Sequence, residues 1–181
     1  PELVEPCAGR VAYLFVDALR YEMGADLIKQ LGGAQELRLQ PAVGTLPSIT
    51  PMGMAALLPG ASSSFSVVEH KGALAAKIGD SVLPGLAERL KLLRAASPDF
   101  VDIVLDDLLL WSSAKVNKKL GSANLLIVRS QEIDAFGESG HELAARQAMD
   151  SIIGNISRAV RKLSKLGIEQ FVITSDHGHQ F

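Results

Sequence analysis

The chain has 181 residues, 48% of them hydrophobic, with 18 basic and 20 acidic side chains and a formal net charge of -2. Such a length and apolar content suit one domain with a sizeable core, and the near-neutral charge argues against a protein that grips long nucleic acid electrostatically. The lone cysteine, Cys7, excludes an internal disulfide framework and fits a reducing compartment, and no stretch is apolar for long enough to read as a membrane span.

Residues 1–6 lack the basic start and apolar core of a signal peptide. Val11 to Val16 is a continuous apolar run with aromatic and β-branched members, the pattern of a strand buried on both faces. It ends at Asp17. A helix is expected next, with Leu19, Met23, Leu27, Ile28 and Leu31 at spacings of three and four and Gly32-Gly33 as its stop. Asp17 suits two roles, a helix cap or a metal ligand at a strand end. Glu36 to Gln40 alternates and reads as a short strand.

In the segment Val43 to Gly60, Thr50-Pro51 reads as an N-cap followed by Pro at the first helical position, with the helix running from Met52 to Leu58. A hydroxyl there can cap the helix. It can also be a nucleophile whose attacked phosphate rests on the first-turn N–H groups. Thr45 and Ser48 are hydroxyls of the same loop, so spacing alone does not single out Thr50.

Residues 61 to 82 read as an irregular exposed loop with a short strand at Phe65 to Val68. His70 reads as a solvated surface residue. A helix follows Pro84, with Leu86, Leu90 and Leu93 on one face. Ser97-Pro98-Asp99 starts another, striped by Phe100, Val101, Val104, Leu105, Leu108 and Leu109. Trp111 reads as core, and Asp106-Asp107 as a solvated helix face. Residues 61–122 together are expected to form a helical insertion over or beside the sheet.

Leu125 to Val128 is a second buried-type strand. It leads into a loop in which Asp134 and Glu138 bracket Gly137. Ser139 and Glu142 form a capping box for a long helix that ends at Gly167, with His141 in its first turn. Ile168 to Thr174 is the last strand, and Asp176-His177-Gly178 follows at once. Strand, helix, insertion, strand, helix, strand predicts an α/β fold with a largely parallel central sheet and helices on both faces.

Three apolar strands thus end in acidic loops, carrying Asp17, Asp134 with Glu138, and Asp176 with His177, and Thr50 stands at a helix start. Five N/O ligands are too many for one closed site and suit two adjacent divalent cations that clamp an in-line displacement. A P-loop ending in Lys-Ser or Lys-Thr is absent from the sequence, as is a Gly-x-Ser-x-Gly elbow.

Val16-Asp17-Ala18-Leu19-Arg20, the Thr50 to Gly60 segment and Thr174-Ser175-Asp176-His177-Gly178 together resemble the PglZ domain of the alkaline phosphatase superfamily, which includes nucleotide pyrophosphatase/phosphodiesterases. The resemblance runs from about Val11 to the end. It implies an alkaline-phosphatase-like fold, with Asp17, Thr50, Asp176 and His177 around one metal and Asp134 at the other. Where the related phosphodiesterases read Asp-x-x-Gly-His, this chain has Asp134-Ala135-Phe136-Gly137-Glu138, which puts Glu138 at the His position. Harder ligands tilt the pair of divalent ions from Zn²⁺ towards Mn²⁺ or Mg²⁺. A further His of the second metal site would fall after Phe181, so the chain reads as a single PglZ-type domain fragment, 1–181, truncated at its C-terminus. His179 is too close to His177 to be expected in that role.

The interval from Thr50 to Gly60 matches that of the nucleophilic Thr and the Gly ending its helix in those phosphodiesterases. The resemblance therefore implies a Thr50 nucleophile, a phosphothreonine intermediate and a preference for diesters such as a short oligonucleotide or a cyclic nucleotide. It places such domains in cytoplasmic bacterial proteins of signalling and phage-exclusion (BREX) systems, with other phage-defence proteins as partners. The rival expectation is a non-catalytic interaction module of such an assembly. A sulfatase or phosphate-transferring mutase of the same superfamily is a third reading, and Thr50 disfavours the sulfatase.

Overall fold

The computed structural model describes residues 9–33, 36–137 and 142–178. The apolar runs form a four-stranded, all-parallel sheet in the order β5 (Val101–Val104), β6 (Leu125–Ser130), β1 (Val11–Val16), β7 (Gln170–Thr174). Parallel neighbours cannot be joined by a tight turn, so each connection carries helices, and both faces of the sheet are covered.

One face carries Ala12, Leu14 and Val16 of β1 with Leu126 and Val128 of β6. Against it pack α1 (Tyr21–Gln30), through Met23 and Leu27, and α5 (Leu105–Leu110), through Leu105 and Leu108. Val116 and Leu120 of α6 (Ser113–Leu120) and Ile133 of α7 (Glu132–Gly137) join them. The 23-residue α8 (Glu142–Ser164) contributes Met149, Ile152, Ile153, Ile156, Ala159 and Leu163, a stripe at helical spacing. The opposite face, with Phe15 and Ile127, packs on Met52 and Ala55 of α2 (Thr50–Ala56) and Leu93 of α4 (Leu86–Ala96). The α/β class and the helices on both faces are as expected. No helix among the described residues is long and apolar enough to cross a membrane.

Three local expectations give way. Glu36 to Gln40 is irregular chain. In residues 61–82 the strand expected from Phe65 is present as β2 (Phe65–His70), but the rest is regular too: a four-residue helix, α3 (Ala61–Ser64), precedes it, and β3 (Ala73–Ile78) and β4 (Ser81–Leu83) join it in an antiparallel sheet. Both of its hairpins close through two residues. Lys71 and Gly72 have φ of 54° and 81°, and Gly79 opens the second turn at 55°. Left-handed turns of this kind match the twist of the flanking strands. The stripe expected as one helix from Phe100 to Leu109 splits at Val104 into β5 and α5. Asp102 explains the split. From β5 it accepts two hydrogen bonds from Arg129 of β6, at 2.6 and 2.9 Å, and so ties the segment to the sheet. Of the 61–122 stretch, β5 therefore lies within the main sheet and β2 to β4 outside it.

Register is what positions the site. Val16 pairs with Ser130, and Phe15 with both Arg129 and Thr174. The carboxyl ends of β6, β1 and β7 thus lie side by side, and the loops that leave them share one rim of the sheet.

Candidate active site

Asp17 is the first residue past β1 and is 1% exposed. Its amide donates to the Ser130 carbonyl at 2.9 Å. Ala18 then takes a positive φ of 59°, a conformation that costs a residue with a Cβ of order 1 kcal/mol. The turn aims the Ala18 N–H at Asp176 Oδ1, 3.3 Å away. Loop β1 is thereby fastened to loop β7.

α2 brings the hydroxyl. Its N-cap is Ile49, so Thr50 is the first helical residue, one position later than the cap role read from the sequence, and Pro51 is the second. Thr50 Oγ1 turns to the rim instead. It donates to Asp17 Oδ1 at 3.3 Å and stands 3.2 Å from His177 Nε2. The amides of Met52 and Gly53 both donate to the Ile49 carbonyl, and Pro51 has none. The first turn's contribution to a bound anion therefore narrows to the amide of Thr50 itself. Among the described residues Thr45 and Ser48 make no side-chain hydrogen bond of this kind, whereas Thr50 reaches both Asp17 and His177.

His177 Nε2 lies 3.5 Å from Asp17 Oδ1 and 3.4 Å from Asp176 Oδ2. Asp134, at the start of α7, completes the group: ligand atoms of Asp17, Asp134 and His177 all lie within 4.8 Å of one another. The structure thus brings Asp17, Thr50, Asp134, Asp176 and His177 to one place, with Asp134 beside Asp17 and His177 rather than apart from them. Glu138, together with Ser139, His141 and His179, lies outside the described residues.

The electrostatics of the cluster call for a cation. Burial, then the negative charges of Asp176 and Asp134, push the Asp17 carboxyl from 3.8 up to about 6, against the smaller opposing pull of His177 and the Thr50 hydrogen bond. Asp176 Oδ2 is buried without a hydrogen-bond partner. Three carboxylates packed with an imidazole, one of them holding an orphaned oxygen, fit a divalent ion: oxygen and nitrogen donors converge, and a positive charge would relieve both the crowding and the unsatisfied atom.

Two features were not readable as functional in the sequence. Gly53 touches the Asp176 backbone closely enough that no side chain fits between them. Arg89 of α4 lines, with Thr50 and Ser130, a cavity of about 80 Å³ whose walls are otherwise largely apolar. Burial lowers the Arg89 pKa from its ordinary value, while the carboxylates of Asp176 and Asp17 act to raise it. Neither Gly53, inside the helix after Thr50, nor Arg89, among the leucines after Pro84, is marked out by a motif of its own in the sequence.

The model of a family described as the BREX system PglZ alkaline phosphatase-like domain matches residues 2–181. The chain is 26% identical over 185 residues to the alkaline phosphatase-like protein BrxZ of Escherichia coli, an overlap of 100% of this chain and 21% of that protein. It is 27% identical over 176 residues to the alkaline phosphatase-like protein PglZ of Bacillus cereus, covering 93% of this chain and 20% of the relative. The chain thus spans about a fifth of the length of these curated relatives. No solved structure matches it.

Proposed function

Since the chain belongs to the BREX system PglZ alkaline phosphatase-like family, we propose that it is the core of a metal-dependent phosphoester hydrolase, a phosphodiesterase with Thr50 as its nucleophile. The observation that carries the reading is the placement of Thr50 Oγ1, within 3.3 Å of Asp17 Oδ1 and 3.2 Å of His177 Nε2 at the rim of a parallel sheet. A hydroxyl used only for capping would face its own helix.

Asp17, Asp176 and His177, with Thr50, would hold one divalent ion, Zn²⁺ or Mn²⁺ with Mg²⁺ as the harder option, and Asp134 would serve a second. When bound, such ions supply Lewis acidity that acidifies a hydroxyl or a water and neutralises phosphoryl charge. The chain's own residues supply position. Asp17 and His177 orient the Thr50 oxygen, whose proton is given up to solvent. Thr50 Oγ1 attacks phosphorus, the bond to one ester oxygen breaks, and that alcohol leaves with a proton. Water then cleaves the phosphothreonine, which regenerates the hydroxyl and releases the remaining monoester. The Ala18 amide holds Asp176 in place throughout. Substrates on this reading are small diesters such as a short oligonucleotide or a cyclic nucleotide. The partners are other proteins of a BREX defence system, and the setting is the bacterial cytoplasm.

The test is hydrolysis of bis-p-nitrophenyl phosphate by the full-length protein that carries this chain, with Zn²⁺, Mn²⁺, Mg²⁺ or chelator, beside Thr50→Ala. Turnover is expected to need metal and to vanish in Thr50→Ala. Turnover that survives Thr50→Ala would sink the covalent route. A folded, metal-loaded protein with no turnover would instead make the domain a non-catalytic interaction module.

A further inference from the structure

Two buried polar atoms beside Thr50 lack the partners that burial demands. Arg89 Nη1 and Ser130 Oγ are each buried without a hydrogen-bond partner, and both residues line the cavity that Thr50 also lines. Ser130 is only 4% exposed, at the carboxyl end of β6. A buried donor left unmade costs free energy, so two such atoms on residues that line one cavity signal a missing acceptor.

The other guanidinium of the cavity provides the contrast. Arg129 also lines it, but its charge is spent on Asp102 through two hydrogen bonds. Arg89 has no such carboxylate: Asp176, Asp17 and Glu88 act on it as charges, without an ion pair to it among the described residues. A planar guanidinium held in an apolar, partly desolvated wall is matched by an anion with two or more oxygens, and a tetrahedral oxyanion offers them. The cavity, about 80 Å³, is roomy enough for several waters or one such anion.

Resting on the phosphoester hydrolase reading, we propose that Arg89 and Ser130 form the subsite that binds the non-bridging phosphoryl oxygens of the substrate while Thr50 faces phosphorus. Arg89 arrives on α4, outside the strand-end loops that bring the acidic cluster, so its half of the subsite is a separate contribution of the segment between β4 and β5, whereas Ser130 comes from the end of β6. Its role is binding and orientation: it donates hydrogen bonds and makes or breaks no covalent bond.

The inference is tested on the full-length, metal-loaded protein by calorimetric titration with inorganic phosphate, KM and kcat for bis-p-nitrophenyl phosphate, and Tm. Arg89→Met keeps the apolar stem and removes the charge. It is expected to weaken phosphate binding by about tenfold or more and to raise KM, while Tm stays level or rises because an unsatisfied donor is gone. Arg89→Lys keeps the charge without the fork and is expected to lose about threefold or more. Ser130→Ala is expected to lose a smaller factor at unchanged Tm. Phosphate affinity and KM unchanged in Arg89→Met would overturn the inference. Should that variant not fold, unchanged phosphate affinity in folded Arg89→Lys would do the same. Wild-type turnover with a silent Arg89→Met leaves the hydrolase standing and removes only the subsite. Wild-type protein that binds phosphate through Arg89 yet hydrolyses nothing keeps the subsite and removes the hydrolase.

Discussion

Gly53 and Asp176 are in backbone contact across the site: a β-carbon built on Gly53 would lie 2.5 Å from the Asp176 carbonyl oxygen and 2.7 Å from its Cβ. Neither neighbour is the free end of a flexible side chain, so the clash cannot be relieved by a rotamer change. This contact sets the distance between α2, which carries Thr50, and the loop that carries Asp176 and His177.

Gly53→Ala is therefore expected to push the two apart. Overpacking of this kind costs about 1–3 kcal/mol, and displacement of a reacting group by ~1 Å costs about 10²-fold in rate. Melting and metal-dependent hydrolysis measure the two effects. Gly154→Ala in α8 is the control: its β-carbon would meet nothing within 4 Å. That change is expected to stabilise the protein by about 0.5–1 kcal/mol with activity intact. Equal behaviour of the two variants would show that the Gly53 contact does not matter.

The crowding of Asp17 makes a pH prediction for the metal-free protein. Burial and the charges of Asp176 and Asp134 push its carboxyl from the ordinary 3.8 up to about 6. The folded state then holds the proton more tightly than the unfolded chain. The contribution of Asp17 to stability is complete below about 3.8 and is lost as pH rises through about 6. Chelated protein should accordingly lose stability from this group between those values. Asp17→Asn should remove that slope and raise the Tm at neutral pH by the equivalent of a few kcal/mol. A chelated Asp17→Asn protein that melts below wild type at pH 7 would contradict the crowding argument.

Divalent metal should reverse that penalty. Saturating Zn²⁺ or Mn²⁺ is expected to raise Tm in a concentration-dependent way, by about 2.7 kcal/mol at a hundredfold excess over Kd. His177→Ala should lose most of that gain and Asp134→Asn part of it, because the ligand atoms of Asp17, Asp134 and His177 converge within 4.8 Å. A metal-induced shift that is intact in Asp134→Asn would remove Asp134 from the site.

The pair Asp102–Arg129 makes a prediction about the sheet rather than the chemistry. Its two bonds join β5 to β6 in a part-buried position. Asp102→Ala strands a half-buried guanidinium and should cost about 1–3 kcal/mol. A double variant with Arg129→Met should recover part of the loss, which denaturant titration of the four-member cycle would measure.

β1 and β6 were legible because they are largely buried and so read as unbroken apolar runs, and β7 showed a run of the same kind. The antiparallel sheet was legible only in its first strand, expected at Phe65 to Val68 and found as β2. Ala73, Ala75 and Ala76 have little strand preference of their own, and the remaining local signals were the two-residue turns at Lys71-Gly72 and Gly79-Asp80. Likewise Val101 to Val104 carries residues that serve a strand or a helix stripe equally, and the choice fell to Arg129 in β6, 27 positions from Asp102.

By itself the sequence determined that acidic and imidazole groups sit directly after apolar strands, because residue type and strand termination are local properties. Which of those groups meet was decided only by the tertiary structure. The order β5-β6-β1-β7 and its register place Asp17, Asp134 and His177 on one rim, and the tight approach of Gly53 brings the Thr50 hydroxyl to them. Arg89 and Ser130, 41 positions apart, share a cavity for the same reason. Convergence across such separations depends on strand pairing and helix packing, which leave no trace in the residues next to each group.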